Sequence, residues 1–153
     1  MEYFKNTLPQ KHTNLFKKIS KTELENSVDK IAFKAEKLNY ETFTAELFKL
    51  VVSIEDEHTK IERTYIKILP IKFEIYKEGI FTIGIDSNAL RLLPAKLIAI
   101  NNHPIEEIIR RSRTVIQNEN NSYFEVYLLH FLNNPSFLKG INVIENVDSA
   151  SFT

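Results

Sequence analysis

The chain has 153 residues, 43% of them hydrophobic and 26% charged, which is enough for one packed domain or two small subdomains. Its 20 basic and 20 acidic residues give a formal net charge of zero, which argues against a nucleic-acid-binding protein. The absence of cysteine excludes disulfides and thiolate metal sites, and three scattered glycines exclude a phosphate-binding loop and a dinucleotide fingerprint.

Targeting and membrane signals are missing from the sequence. No run reaches the roughly 18 apolar residues of a membrane span, so none is predicted. The segment Met1–Tyr3 lacks the basic start and the long apolar core of a secretory signal. The protein is expected to be cytoplasmic if Met1 is the native start, and an extracytoplasmic location stays open otherwise.

Two amphipathic helices are predicted in the first third of the chain. Ser20 and Glu23 have the spacing of a capping box, in which each side chain bonds the other residue's backbone amide. Apolar residues then recur at helical spacing, first at Leu24, Val28, Ile31, Ala35 and Leu38, and after Asn39 at Phe43, Leu47, Leu50, Val51 and Ile54. The short connection predicts antiparallel packing, with Val28 and Ile31 against Leu47 and Val51.

The apolar period changes to two after Thr59, which predicts strands. The first strand is interrupted at Pro70 and includes Ile66, Ile68, Ile71, Phe73 and Ile75. A turn follows at Lys77–Gly79. The returning strand, which completes a hairpin, contains Phe81, Ile83 and Ile85. A further strand is predicted at Leu97–Ile100, followed by a left-handed turn at Asn102.

The last third alternates helical and polar segments. Pro104 is predicted as the first residue of a helix with Ile105, Ile109, Ser112 and Ile116 on one face. A second capping box, Ser122 with Glu125, starts a helix that ends before Pro135. A strand is expected to begin near Ile141, and the tail from Asn146 is predicted to have no partner.

These patterns together predict an α+β fold. The expected division is a helical subdomain at residues 1–59, a small mixed α/β portion at 60–145 and a polar tail at 146–153.

Four segments in a fixed order resemble a known family. They are Asn14–Ser20, Ile54–Thr59, Leu69–Phe73 and Ala95–Ile108. Their order is similar to the N-terminal region of the C-terminal-processing serine peptidases, the tail-specific and tricorn-like family, from about Leu8 to Ile144. The resemblance implies that residues 60–145 are PDZ-like. It also implies a peptide or unfolded protein as substrate, no cofactor, and a separate C-terminal catalytic domain that carries the serine.

His58 is the candidate catalytic residue that this resemblance implies. In tricorn-like members the histidine of this motif is the general base for a serine from the downstream domain. The chain departs from the family at Glu55 and Glu57, where glycine or a small residue is usual, and many relatives use a Ser–Lys pair with a structural histidine. The alternative for His58 is therefore a histidine that holds the end of the helix by bonding to backbone.

Other chemistry-bearing residues have plainer interpretations. Asp56 is expected to accept hydrogen bonds from neighbouring amides. The run Glu55–His58 has poor spacing for a metal site, so none is predicted. His12 is interpreted as a surface or capping residue and His103 as a neighbour of a helix N-cap, while His130 lies far from both in sequence. The aromatic residues Tyr123, Phe124, Tyr127 and Phe131 are expected to be core.

Two functions follow from the sequence. The first is the N-terminal, substrate-framing part of a tricorn-like serine peptidase, which is predicted to be inactive alone because it lacks the nucleophile. The alternative is a non-enzymatic peptide-binding or scaffolding module that stands alone.

Overall fold

The computed structural model describes residues 1–56, 58–62, 67–85 and 93–153. These residues form helices and a small antiparallel sheet, which confirms the predicted α+β class. Within the described ranges, no helix has the length and apolarity that crossing a membrane requires.

The predicted capping box starts the first long helix. A π-helical turn (Tyr3–Thr7), helix α1 (Leu8–Lys11) and a 3-10 turn (Leu15–Lys17) precede helix α2 (Lys21–Lys34). The Ser20 hydroxyl accepts from the Glu23 amide at 3.2 Å, and the Glu23 carboxylate accepts from the Ser20 amide at 2.9 Å. The reciprocal pair satisfies two amides that the helix itself leaves without partners.

Helix α3 (Tyr40–Val52) begins at Asn39, whose side-chain oxygen accepts from the Thr42 amide at 2.9 Å. It packs on α2, where Val28 and Ile31 share a cluster with Leu47 and Leu50. Val51 does not belong to this cluster, contrary to the prediction. It is buried on another side of α3, where it borders a cavity beside a later helix.

The described residues form two hydrophobic clusters, and α3 contributes to both. The front cluster consists of buried residues before residue 55, namely Leu15, Ile19, Leu24, Val28, Ile31, Leu50 and Ile54. The larger cluster joins Ala45 and Phe48 of α3 to apolar residues from Ile71 to Ile144. The predicted boundary at residue 59 therefore comes shortly after α3, a helix whose side chains belong to the hydrophobic clusters on both sides of that boundary.

The predicted hairpin consists of strands β1 (Ile71–Tyr76) and β2 (Gly79–Ile85), which pair antiparallel with a bulge between Lys72 and Phe73. Strand β1 starts after Pro70, and Ile68 precedes it outside the sheet. Ile66, predicted in the same strand, lies outside the described residues. A short strand β3 (Ala95–Lys96) pairs with the other side of β2.

The single strand predicted at Leu97–Ile100 is wrong, because the pairing changes partner within it. The Leu97 amide still donates to the Ile80 carbonyl at 2.8 Å, as an extension of β3. Strand β4 (Ala99–Ile100) instead pairs with β5 (His103–Pro104). Asn101 and Asn102 join β4 to β5 with φ of 47° and 66°, so the predicted left-handed turn is confirmed.

Three helices follow: α4 (Ile105–Ser112), α5 (Asn121–Phe131) and α6 (Pro135–Gly140). Pro104 is the N-cap of α4 and not its first residue. The predicted capping box at Ser122 is wrong, because the Asn120 side chain accepts from the Ser122 amide at 2.9 Å and α5 begins earlier. Helix α6 was not predicted, although Pro135 is well placed as its first residue.

The strand expected near Ile141 is also absent from the described sheets. The amides of Asn142 and Val143 donate to the carbonyls of Lys139 at 2.9 Å and Leu138 at 2.8 Å, and Asn142 has a positive φ of 58°, so the segment closes α6 and does not extend as a strand. The Arg111 guanidinium donates to the carbonyls of Ile141 at 3.0 Å and Asn142 at 2.5 Å. The side chains of Ile141, Val143 and Ile144 are buried in the larger cluster.

The C-terminal residues do have a partner, contrary to the prediction. Thr153 exchanges backbone hydrogen bonds with Ala99 at 3.0 and 3.2 Å, and the Asn101 amide donates to the Ser151 carbonyl at 2.9 Å. The Phe152 ring lies 5.7 Å from the Phe73 ring. The end of the chain thus pairs with β4 and covers part of β1.

Candidate functional site

The turn that carries His58 lies beyond the end of α3. The helix ends at Val52, Glu55 has a positive φ of 52°, and the Thr59 amide donates to the Asp56 carbonyl at 3.0 Å. The sequence predicts His58 at or just past the end of the helix, and in the structure it lies six residues past that end. Since the helix dipole acts only within about the last turn, it does not act on His58. Glu57 lies outside the described residues.

A histidine from the N-terminal segment fixes this turn. The Nε2 atom of His12 lies 2.9 Å from Asp56 Oδ2 and 2.7 Å from Thr59 Oγ1, and the Thr59 hydroxyl donates to Asp56 Oδ2 at 2.6 Å. The His12 side chain is only 15% exposed. His12 is the C-cap of α1, which confirms its interpretation as a capping residue, whereas the alternative of a surface residue is wrong.

The contacts of His12 determine its tautomer. The Asn14 amide donates to Nδ1 at 3.1 Å, so Nδ1 acts as an acceptor and the proton of a neutral ring lies on Nε2, facing Asp56 and Thr59. In a serine triad, one imidazole nitrogen binds the carboxylate and the other faces the serine. Both nitrogens of His12 are occupied, so His12 is suited to holding the turn and not to accepting a proton from a nucleophile.

Asp56 is the centre of the cluster. Its carboxylate accepts from the Thr59 hydroxyl, from His12 and, at 3.2 Å, from the backbone amide of His58. The hydrogen bond from Thr59 is the main reason that the pKa of Asp56 lies below its ordinary value of 3.8; His12 acts in the same direction, and partial burial opposes both. The sequence prediction that Asp56 accepts from a neighbouring amide is confirmed.

His58 itself is exposed and lines an open cleft of about 830 Å³. The cleft also contains charged groups of both signs, including Lys11, Lys18, Glu55 and Glu119. An exposed imidazole on a turn held by three side-chain contacts has the chemistry of a general base. The backbone amide of His58 donates to Asp56, so the carboxylate positions His58 through its main chain.

Gln117 joins this turn to the loop between α4 and α5. Its side-chain nitrogen lies 3.2 Å from the Asp56 carbonyl, 3.3 Å from the Thr59 carbonyl and 3.4 Å from the Val51 carbonyl. Gln117 is 8% exposed and also lines a second cavity, beside α5. No sequence pattern indicates a role for Gln117.

The remaining candidates are dispersed. His103 precedes α4, whereas Gln117 follows it, and His103 Nδ1 lies 3.5 Å from Glu107 Oε2; His130 is at the end of α5. Of the predicted aromatic core, Phe124 and Phe131 are buried, whereas Tyr123 and Tyr127 are half-buried. Among the residues that the structure describes, no group of three or more metal-binding side chains comes together.

Comparison of the chain with models of protein families, with curated proteins and with solved structures finds no match.

Proposed function

We propose that the chain is the N-terminal, substrate-framing part of a tricorn-like serine peptidase and that His58 is its general base. The nucleophile would come from a separate catalytic domain, and the reaction would be acyl transfer to a serine. The observation that carries this proposal is the exposed position of His58 on a turn fixed by His12, Asp56 and Thr59.

The cluster supports the proposal because a general base needs a fixed backbone and an accessible ring. A base must come within about 2.6–3.2 Å of the hydroxyl that it deprotonates. The open cleft leaves room for an incoming serine and a peptide, and Asp56, in the wall of the same cleft, holds the main chain of His58 by accepting from its amide. Residues 60–145 would form the PDZ-like portion that frames the peptide, with the β1–β2 hairpin packed beside α5.

The test uses the protein as its gene encodes it, including any coding sequence beyond Thr153. If His58 is the base, His58→Ala should lower kcat/KM for unfolded casein by several orders of magnitude without changing the melting temperature. A loss of less than about tenfold, with unchanged stability, contradicts the assignment and favours a Ser–Lys mechanism.

A second candidate function is a peptide-binding module that stands alone. A cavity beside α5 supports this second candidate, because a binding site there requires no catalytic group. Half-buried Tyr123 and Tyr127 form part of its wall. The gene separates the two candidates. A reading frame that continues past Thr153 to a serine in a glycine-rich turn supports the peptidase, and a stop codon near Thr153 supports the module.

A further inference from the structure

The cavity beside α5 has the size and wall chemistry of a ligand site. Its volume is about 580 Å³, within the roughly 300–1,000 Å³ that is usual for sites of small ligands. The apolar part of the wall comes from α3 and from the loop after α4, at Phe48, Val51, Val52, Val115 and Ile116. Such a wall favours an apolar group over a charged one.

Aromatic rings form one side of this cavity. Tyr123, Tyr127 and Phe131 follow each other at intervals of four residues along α5, and all three line the cavity. The ring centroids of Tyr123 and Tyr127 are 4.4 Å apart with planes inclined by 34°, and those of Tyr127 and Phe131 are 5.8 Å apart. Rings in this range attract one another in offset arrangements, so α5 gives the cavity an aromatic side.

Polar atoms in the same wall are available to a ligand. In the described part of the chain, neither the Tyr127 hydroxyl nor the His130 ring takes part in a hydrogen bond, and both residues line the cavity. The Gln117 side-chain nitrogen donates to the carbonyls described above, which leaves its amide oxygen as an acceptor. These groups match an aromatic ring with a polar edge, such as indole or phenol.

The cavity adjoins the cleft that contains His58. Thr59 lines the cleft and the next residue, Lys60, lines the cavity. Gln117 lines the cavity and bonds to the carbonyls of Asp56 and Thr59 in the cleft wall. This turn and Gln117 thus separate the cleft from the cavity, and the two lie side by side.

We propose that the cavity beside α5 receives a tryptophan or tyrosine side chain of a peptide whose backbone lies in the neighbouring cleft. This inference rests on the proposed function, since it makes the cavity a specificity site for the peptide. The aromatic wall binds the ring, while Gln117, Tyr127 and His130 bond to its polar edge.

The chain contains no tryptophan, so indole fluorescence reports the ligand alone. The experiment titrates the protein into an end-blocked pentapeptide with a central tryptophan and follows the emission of the indole. We expect saturable binding, and we expect the same peptide with central alanine to compete poorly. Val52→Phe fills the cavity and should weaken binding about tenfold or more, which corresponds to about 1.4 kcal/mol. The matched control is Val126→Phe, at a position 66% exposed and outside the cavity wall, which should leave binding unchanged.

Melting curves of each variant precede the titrations, and Tyr127→Leu provides a second test by removing a ring from the wall. Equal affinities of Val52→Phe and Val126→Phe, or no binding of the tryptophan peptide, would overturn the proposal. N-acetyltryptophanamide binding as tightly as the peptide would overturn the part that concerns the peptide backbone. The titration measures binding and not hydrolysis, so its result does not depend on whether His58→Ala lowers peptidase activity. Failure of the proposed binding site can therefore be distinguished from failure of the proposed function.

Discussion

His12 and Asp56 lie 44 residues apart in the sequence, yet Nε2 of one is 2.9 Å from Oδ2 of the other. This contact ties the segment before the first long helix to the turn after the second. The turn carries the candidate base, so a residue without a role in proton transfer sets where that base lies. The three hydrogen bonds that the Asp56 carboxylate accepts favour its ionised form, so the stability that they provide depends on pH.

The first prediction concerns this pH dependence. The folded-state pKa of Asp56 lies below its ordinary value of 3.8, so the ionised carboxylate stabilises the fold above that pH. This contribution is lost as the pH falls through the lowered pKa. Asp56→Asn should therefore lower the melting temperature at neutral pH, and the difference from the unmodified chain should shrink below about pH 4.

The control for this measurement is Glu36→Gln, which removes an exposed carboxylate with no hydrogen bond in the described residues. It should change the melting temperature little at any of these pH values. A difference for Asp56→Asn that stays constant from neutral pH to pH 3 would contradict the role assigned to the ionised carboxylate.

The second prediction tests the packing of α2 on α3. Ile31 is 6% exposed in the front cluster, whereas Lys30 is exposed. Truncating a buried isoleucine to alanine typically costs about 2–5 kcal/mol. Ile31→Ala should thus lower the melting temperature by several degrees, and Lys30→Ala should hardly change it. Similar effects of the two substitutions in calorimetry would mean that α2 presents another face to the core.

The third prediction concerns the close approach of α6 to α3. A Cβ atom at Gly140 would lie 2.8 Å from the Glu41 carbonyl oxygen and 3.3 Å from the Ala45 side chain. The helices must separate to admit it, so Gly140→Ala should destabilise the protein by about 1–3 kcal/mol. Chemical denaturation measures this, with Ser136→Ala in the same helix as a control that should change the free energy of unfolding by less than about 0.5 kcal/mol. A stabilised Gly140→Ala variant would show that helix propensity outweighs the clash.

The fourth prediction concerns an unusual hydroxyl. The Ser112 side chain is buried, and its oxygen has no hydrogen-bond partner among the residues that the structure describes. Burying an unpaired polar group costs about 1–3 kcal/mol, and alanine removes that group without adding volume. Ser112→Ala should therefore leave the free energy of unfolding unchanged or raise it. A loss of more than about 1 kcal/mol in denaturant titrations would reveal a bond that the hydroxyl makes in solution.

Features with local causes were predictable from the sequence, and features with distant causes were not. The capping box at Ser20 depends on residues three positions apart, and the turn at Asn102 on the backbone preference of asparagine. The hydrogen bond from Arg111 to the Ile141 carbonyl, in contrast, joins residues thirty positions apart, and no local pattern indicates it. The same limit applies to the candidate site, where the motif identified His58 and Asp56 but not their connection to His12 and Gln117.

The last prediction is that the chain alone hydrolyses no peptide. Acyl transfer needs a nucleophile beside a base, and no serine of the sequence lies in a glycine-rich turn. His12, the histidine nearest to a carboxylate in the cluster, has both ring nitrogens bonded and gives a nearby hydroxyl no free acceptor. Purified protein should leave unfolded casein and short reporter peptides intact over long incubation. Turnover that persists through repurification, and that a serine-reactive inhibitor then abolishes, would show that the chain holds its own nucleophile and would remove the need for a separate catalytic domain.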